Sequence, residues 1–354
     1  MPVARPYQPW VSWARLAGIA AVVLIHVSSS LVNTWPGHAT AAWQAGNVAM
    51  SVARWSVPLF IVASGATVLA PRAETMRDFY TRRFVRIGIP LLFWTAFFVW
   101  FNAATSGRTP TPKSFLHGYL SGQPYFHMYF LYVVAGLAVV TPFLRLFVAA
   151  VPTRVVAGAA GVLLALACLQ KMQQDLYTLG AANAFNLFVP YLGYYLLGHL
   201  LAVTTDRPTP RQRSGAAAVW VAAMAATAAG TWAMYTYVGF AKGRVLYDYF
   251  APTTIVATVA LSLWLRPIGA RERATASSAS SHPWPRRLSD LTLGIYLLHP
   301  VVLVGWRHLV AAPALDAGTA AVLGYHLASW LVVLAATTVA VAGLRQVPAV
   351  RALV

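Results

Sequence analysis

Long apolar segments recur from one end of this chain to the other, and they restrict its fold more than any other feature. Of the 354 residues, 59% are hydrophobic and only 10% are charged, and the mean hydropathy is +0.62. Soluble domains carry about 25% charged residues. Several segments reach the roughly 20 residues that an α-helix needs to cross a bilayer. The sequence therefore predicts an all-α, polytopic integral membrane protein.

Ten segments are predicted to span the membrane. They cover residues 11–33, 46–70, 86–103, 126–149, 154–171, 184–203, 215–238, 248–266, 289–311 and 318–344. The longest inner loop, residues 267–288, contains "ATASSASSHP" and is predicted to be a flexible cytoplasmic loop. No stretch outside the spans is long enough to fold alone, so residues 1–354 are predicted to form a single membrane domain.

The distribution of basic residues predicts the orientation. With the N-terminus inside, 18 of the 26 basic residues fall in cytoplasmic loops and tails and 6 fall outside, so both termini are predicted to be cytoplasmic. The net charge of +18 would also suit a nucleic-acid-binding protein. The basic residues, however, are dispersed over short loops between apolar runs. We therefore expect a bacterial inner (plasma) membrane protein with no nucleic acid partner.

The first predicted span, "RLAGIAAVVLIHV" at its centre, contains two polar side chains. Arg15 and His26 are eleven residues apart, so they share one helix face and lie roughly 16 Å apart along the axis. Arg15 lies near the cytoplasmic end, where a basic residue can simply mark orientation or extend its charge to the lipid head groups. His26 lies deeper, in the outer half, and makes either a helix-packing hydrogen bond or a catalytic contribution. Ionisable groups inside a membrane are costly, which favours function for His26.

A second cation, Arg54, lies in the second predicted span at a depth similar to His26. All eight acidic residues are in loops or at span ends, so no carboxylate is predicted at that depth. Arg54 is therefore expected either to bind carbonyl and hydroxyl groups such as Ser51, or to face a wet cavity that receives an anionic or oxygen-rich ligand. Pro58 and Gly65 predict irregular helix nearby, and such backbone usually lines a cavity.

A compact cationic group precedes the third predicted span in "FYTRRFVRI", residues 79–87. Arg82, Arg83 and Arg86 are placed at the cytoplasmic surface. They can serve orientation and attraction to anionic membrane lipids. They can equally clamp a phosphate, because arginine binds phosphate through a bidentate fork.

The remaining histidines and glycines divide into candidates and structural residues. His127, near the outer surface, is a candidate for the acceptor site. His299 is followed by Pro300, and packing against a helix kink is favoured over a functional role. Gly193 and Gly198 are predicted to mark close helix contacts. No two histidines lie three or four residues apart, so no metal site is predicted.

Six motifs in order resemble those of one known family. They are Arg15-x10-His26, "RWSVPLFIVASG", "FYTRRFVRIGIPLLFW", "YFHMYFLYVVAGLAVVTPFLR", "YLGYYLLGHLL" and "LGIYLLHPVVL". Together, over roughly residues 9–345, the chain resembles the membrane acyltransferase family 3, and most of all its branch that contains the enterobacterial common antigen O-acetyltransferase. The resemblance implies ten core helices. It also implies transfer of an acyl group, usually acetyl, from acyl-CoA to a sugar hydroxyl of a surface polysaccharide or its lipid-linked precursor.

The resemblance implies where the acyl donor binds. Acyl-CoA is made in the cytosol and is heavily phosphorylated, so its phosphates would bind Arg82, Arg83 and Arg86, with Arg15 close by. The pantetheine arm would then follow the first span toward His26. Acyl-CoA is expected as a substrate, and no permanently bound cofactor is expected; self-association of the chain is left open.

The resemblance also implies a catalytic group. His26 would be either a general base for the sugar hydroxyl or a nucleophile that carries the acyl group. Arg54 or Tyr129 would stabilise the oxyanion at the thioester carbon, and His127 would contact the acceptor. Two positions differ from the family pattern. Tyr129 stands where many members have tryptophan, and Ser12 stands where many have an aspartate three residues before the arginine.

Two other classes of function are alternatives to enzymatic activity. A transporter or flippase of a lipid-linked sugar would fit a multi-pass chain, but intramembrane carboxylates and an internal repeat are not evident in the sequence. A non-catalytic scaffold for glycan assembly would gain nothing from a buried histidine and arginine. Release of free CoA in response to a glycan acceptor would distinguish an enzyme from both.

Overall fold

The computed structural model describes residues 8–33, 40–70, 72–177, 182–204, 208–266, 283–314 and 317–354. In this part of the chain the protein is all-helical, without β-strands. The α-helices are α1 (Pro9–Val32), α2 (Ala41–Ala53), α3 (Ser56–Val68), α4 (Met76–Arg83), α5 (Ile89–Thr105), α6 (Pro112–Ser121), α7 (Tyr129–Ala150), α8 (Thr153–Tyr177), α9 (Leu192–Val203), α10 (Pro210–Tyr237), α11 (Phe240–Gly243), α12 (Pro252–Leu265), α13 (Pro283–Ser289), α14 (Thr292–Leu309) and α15 (Thr319–Leu344).

The multi-pass helical class is confirmed. Within the described residues, eight helical segments are long and apolar enough to cross a membrane: Pro9–Val32, Ala41–Val68, Met76–Thr105, Tyr129–Ala150, Thr153–Leu176, Pro210–Tyr237, Val245–Leu265 and Thr319–Leu344. The two other predicted spans correspond to the shorter Val189–Val203 and to α14, which carries Arg307 and His308 in its last turn. The number ten and the sides of the two termini stay predictions.

Helix α1 lies at the centre of the molecule. It packs against α2, α3, α12, α13, α14 and α15. Fifteen of its 24 residues are buried. This position surrounds His26 with protein instead of lipid.

The second predicted span is two helices, because it is interrupted between α2 and α3. The break falls at Arg54 and Trp55, four and three residues before Pro58. Proline has no backbone N–H, and its ring clashes with the carbonyl of the residue four positions earlier, which here is Arg54. The break therefore follows directly from Pro58 and places Arg54 at a helix junction.

The third predicted span begins earlier than the sequence suggested. Helix α4, a π-helical turn (Phe84–Gly88) and α5 are continuous from Met76 to Thr105. The π turn precedes Pro90, and the amide N–H of Ile89 donates to the carbonyl of Phe84. A wider turn accommodates the proline that cannot complete the ordinary pattern. The three predicted phosphate ligands thus lie on a helix and not in a loop before one.

Two short helices lie in segments that were predicted as loops. Helix α6 has a capping box between Thr111 and Ser114 and a proline at its start, a pattern that predicts a helix start. Helix α13 occupies the end of the predicted flexible loop 267–288, so residues 283–288 are helical and not part of a loop. Residues 267–282 lie outside the described residues.

Helices α3 and α9 make the most extensive contact in the described bundle. A Cβ atom on Gly198 would overlap the Val62 carbonyl, and one on Gly65 would overlap the Tyr195 carbonyl. On Gly193 it would lie 2.6 Å from a side-chain carbon of Leu164. The prediction that Gly193 and Gly198 mark close helix contacts is confirmed: Gly198 and Gly65 allow the close approach of α3 and α9, and Gly193 allows that of α8 and α9.

Candidate active site

A cavity of about 370 Å³ lies where α1 ends and where α3 and α7 begin. Its wall includes His26, Arg54, His127 and Tyr129, four of the five side chains expected to take part in catalysis. The structure therefore brings together residues from three separate predicted spans. We call this space the histidine cavity; among the residues that the structure describes, none of its lining is a carboxylate.

Three histidines form a contact group at the histidine cavity. The rings of His26 and His299 are stacked, with centroids 5.2 Å apart and planes 24° apart. His127 meets His299 edge to face at 5.5 Å. His299, for which the sequence favoured a packing role, is fully buried and belongs to this group. The described residues contain no group of His, Cys, Asp or Glu arranged to hold a metal ion.

The orientation of the His299 ring is fixed by its own helix. Its Nδ1 atom is 2.8 Å from the carbonyl of Tyr296 and 3.2 Å from that of Ile295. A carbonyl only accepts, so Nδ1 carries the hydrogen and the neutral ring has its lone pair at Nε2. The Nε2 atom is buried and has no hydrogen-bond partner in the described structure. His299 thus presents an unused acceptor beside His26.

His127 is held from the backbone side. The hydroxyl of Tyr296 donates to the His127 carbonyl, and the two rings lie 5.2 Å apart. Phe98 and Phe126 pack against the same imidazole at 4.6 Å and 5.4 Å. Aromatic walls leave the imidazoles in a largely apolar setting.

Arg54 reaches the cavity from the junction between α2 and α3. Its guanidinium lies over the ring of Tyr247 at 4.6 Å and near the ring of Tyr249 at 5.9 Å. Cation–π contact of this kind is attractive and stronger when water is excluded. The hydroxyl of Ser51 donates to the side-chain oxygen of Asn47, and a terminal nitrogen of Arg54 contacts the sulfur of Met50 at 3.6 Å. Arg54 lines the cavity, as the second sequence-based alternative requires, and the binding of an anionic or oxygen-rich ligand there stays a prediction.

Asn47 positions the aromatic ring beneath Arg54. The hydroxyl of Tyr247 donates to its side-chain oxygen at 2.7 Å, and its amide nitrogen donates to the carbonyl of Ala228 at 2.9 Å. Asn47 is buried, so this chain of hydrogen bonds ties the position of Arg54 to α2 and α10. Sequence reasoning missed both Asn47 and Tyr247.

Two carboxylates share a cavity with Arg54. Asp175 and Asp248 line a neighbouring cavity that Arg54 also lines. Both pair with Lys171, at 3.8 Å and 3.5 Å. Asp175 is at the end of α8 and Asp248 is in the segment before α12, so both lie at helix ends, as the sequence predicted, and still share a cavity wall with Arg54.

Arg15 does not line the histidine cavity. It lies on α1 roughly 16 Å from His26 along the axis. At the position where many family members have an aspartate, Ser12 is buried and accepts a hydrogen bond from the Ser289 hydroxyl at 3.2 Å. In this chain that position joins α1 to α13.

Five arginines gather at the opposite end of α3 and α7. They surround one carboxylate, Glu74, and we call them the arginine cluster: Arg72, Arg82, Arg83, Arg86 and Arg145. Burial lowers the pKa of Arg72, and repulsion from Arg145 and other cluster members lowers it further. Tyr129 and Arg145 are sixteen residues apart on α7, so the cluster lies about 24 Å from the histidine cavity.

Glu74 neutralises part of the arginine cluster. It pairs with Arg82 and, at 2.6 Å, with Arg145, whose Nε also donates to the Val68 carbonyl. Arg82 is therefore already paired, whereas Arg83 and Arg86 have no carboxylate partner among the described residues. Sequence reasoning missed Arg145 and Glu74, since they are distant in the chain.

Comparison with known proteins identifies the class. The sequence profile of the acyltransferase 3 family, described as an acyltransferase domain, matches residues 8–345. The chain therefore belongs to this family of membrane acyltransferases. No curated protein and no solved structure shows a significant match.

Proposed function

We propose that this protein transfers a small acyl group, acetyl in the first instance, from cytosolic acyl-CoA to a sugar hydroxyl of a surface polysaccharide or its lipid-linked precursor. The observation that carries the proposal is the histidine cavity, in a chain that belongs to an acyltransferase family. Imidazole, guanidinium and phenol groups in one enclosed space supply the proton transfer and oxyanion stabilisation that acyl transfer needs. The proposed location is the bacterial inner membrane.

Acyl transfer can use His26 in two ways. As a base, its lone pair takes the proton of the sugar hydroxyl while the oxygen attacks the thioester carbon; the C–S bond then breaks, and the CoA thiolate takes up the proton. As a nucleophile, His26 itself displaces CoA and then passes the acyl group to the sugar. In both routes negative charge develops on the carbonyl oxygen, where Arg54 or Tyr129 would stabilise it.

The arginine cluster suits the phosphates of the donor. Arg83 and Arg86 supply positive charge that no described carboxylate neutralises. Under the predicted orientation the cluster is at the cytosolic face, and the acyl group would reach the histidine cavity through the pantetheine arm.

A thioester-cleavage assay tests the proposed function. Purified protein is incubated with a panel of acyl-CoAs and glycan acceptors, and free CoA is measured. We expect acceptor-dependent CoA release and an acylated sugar with at least one donor. Neither product from any pair, with a folded protein, would refute the enzyme and favour a transporter or scaffold.

A further inference from the structure

A second cavity adjoins the histidine cavity. It encloses about 340 Å³ and shares Arg54, Arg244 and Tyr249 with the histidine cavity. Its other wall residues come from the end of α8 and from the segment between α10 and α12, which the sequence places outside the cell. We call this space the vestibule. The shared residues make the two spaces neighbours, so a ligand bound in the vestibule lies next to the histidine cavity.

The charges of the vestibule do not cancel. Its two carboxylates, Asp175 and Asp248, both pair with Lys171. Among the residues that the structure describes, Arg54, Lys242 and Arg244 pair with no carboxylate. The vestibule and its rim therefore carry an excess of positive charge.

Arg54 links this charge to the catalytic group. Its Nε atom is buried and has no hydrogen-bond partner in the described structure, although its guanidinium is held over Tyr247. A buried donor without a partner is costly, and an anionic ligand would satisfy it. If the ligand were a neutral sugar, the charges of Lys242 and Arg244 would be solvated by water only.

We propose that the vestibule binds an anionic group of the acceptor, either a carboxylate, as in a uronic acid, or a phosphate. The inference rests on the proposed function and names the class of acceptor: an acidic or phosphorylated sugar, held so that a nearby hydroxyl reaches His26. Arg244 and Arg54 both line the vestibule, each guanidinium is a planar fork of donors suited to oxyanions, and Lys242 adds a third positive charge.

Direct binding without an acyl donor tests this site independently of turnover. The probes are a glucuronic-acid disaccharide, its carboxyl-reduced neutral counterpart and a phosphorylated disaccharide, titrated by thermophoresis at two salt concentrations. We expect at least one anionic probe to bind about tenfold more tightly than the neutral one, with the preference reduced by salt. The better anion distinguishes a uronate from a phosphate source.

Charge-removing variants assign the preference to the vestibule. Lys242→Gln/Arg244→Gln should lose most of the anion preference; both side chains are exposed, so folding should be retained. The matched control is Arg108→Gln/Lys113→Gln, which removes two exposed charges from the same predicted side but far from the vestibule. Equal affinity for neutral and anionic probes, or equal loss in both variants, would overturn the inference.

The assay separates failure of this inference from failure of the proposed function. Anion-selective binding that depends on Lys242 and Arg244, without acyl transfer to any acceptor, would keep the anion site and refute the enzyme. Efficient transfer to neutral sugars, with no anion preference in binding, would keep the enzyme and refute the anion site.

Discussion

The histidine cavity and the arginine cluster lie at opposite ends of α3 and α7, and they handle charge in opposite ways. Three imidazoles lie among aromatic rings at the cavity, two of them, His26 and His127, in its wall, and none of the described wall residues is a carboxylate. The cluster surrounds one carboxylate with five arginines, several of them exposed. An apolar setting favours neutral imidazole, whose lone pair can accept a proton, whereas a wet surface tolerates many cations. We infer that the histidine cavity serves the chemistry and that the arginine cluster serves the phosphates of the donor.

Reporter fusions test whether the histidine cavity and the arginine cluster face opposite sides of the membrane, and the expected result is all-or-none. If the two ends face opposite sides of the membrane, a fusion at the C-terminus should report the cytoplasm and one inserted after Arg108 should report the outside. The reason is the asymmetry of basic residues. The same signal from both fusions would contradict the prediction that the donor end and the acceptor end face opposite sides of the membrane.

His26→Gln is expected to give the largest kinetic effect. Glutamine keeps a hydrogen bond but cannot shuttle a proton or form an acyl-imidazole, so acceptor-dependent CoA release should fall by roughly 10²–10⁴-fold. Binding of CoA should be unchanged, because the arginine cluster is distant. His117→Gln, an exposed histidine on α6, serves as control. Near-normal turnover by His26→Gln would move the search to His299 and His127.

Arg54 should be the next most sensitive position. Arg54→Gln removes the cation held over Tyr247, and loss of one oxyanion donor typically lowers the rate constant by roughly 10²–10³-fold. Arg54→Lys, which keeps the charge but not the fork, should lie between Gln and wild type. The rate constant is measured by steady-state kinetics with saturating donor. Equal rates for the wild type, Arg54→Gln and Arg54→Lys would show that Arg54 does not stabilise the oxyanion.

The arginine cluster should show a smaller effect, confined to the donor. Arg83→Gln/Arg86→Gln should weaken CoA binding by about tenfold, since solvent screens exposed charges, and should leave the rate at saturating donor nearly unchanged. Arg77→Gln removes a charge from the same helix outside the cluster and is the matched control. Unchanged CoA affinity, measured by titration, would return these arginines to a role in membrane orientation.

Several features of the fold follow from short stretches of the sequence. Apolar run length predicted the long helices, and Pro58 and Pro90 account for the break at Arg54 and the π turn before α5. The capping box of α6 was also present in the sequence but was not recognised. These features depend on contacts within a few residues, so sequence alone carries them.

Which residues make up the candidate site could be determined only from the tertiary structure. The sequence determined an all-helical membrane protein with His26 and Arg54 at similar depth, because depth follows from position along a span. Only packing decided that His299 stacks on His26, that Asn47 and Tyr247 hold Arg54, and that Glu74 neutralises Arg82. Such pairs depend on which helix faces meet, and that choice is made by close contacts such as Gly198 against Val62, which no local pattern specifies.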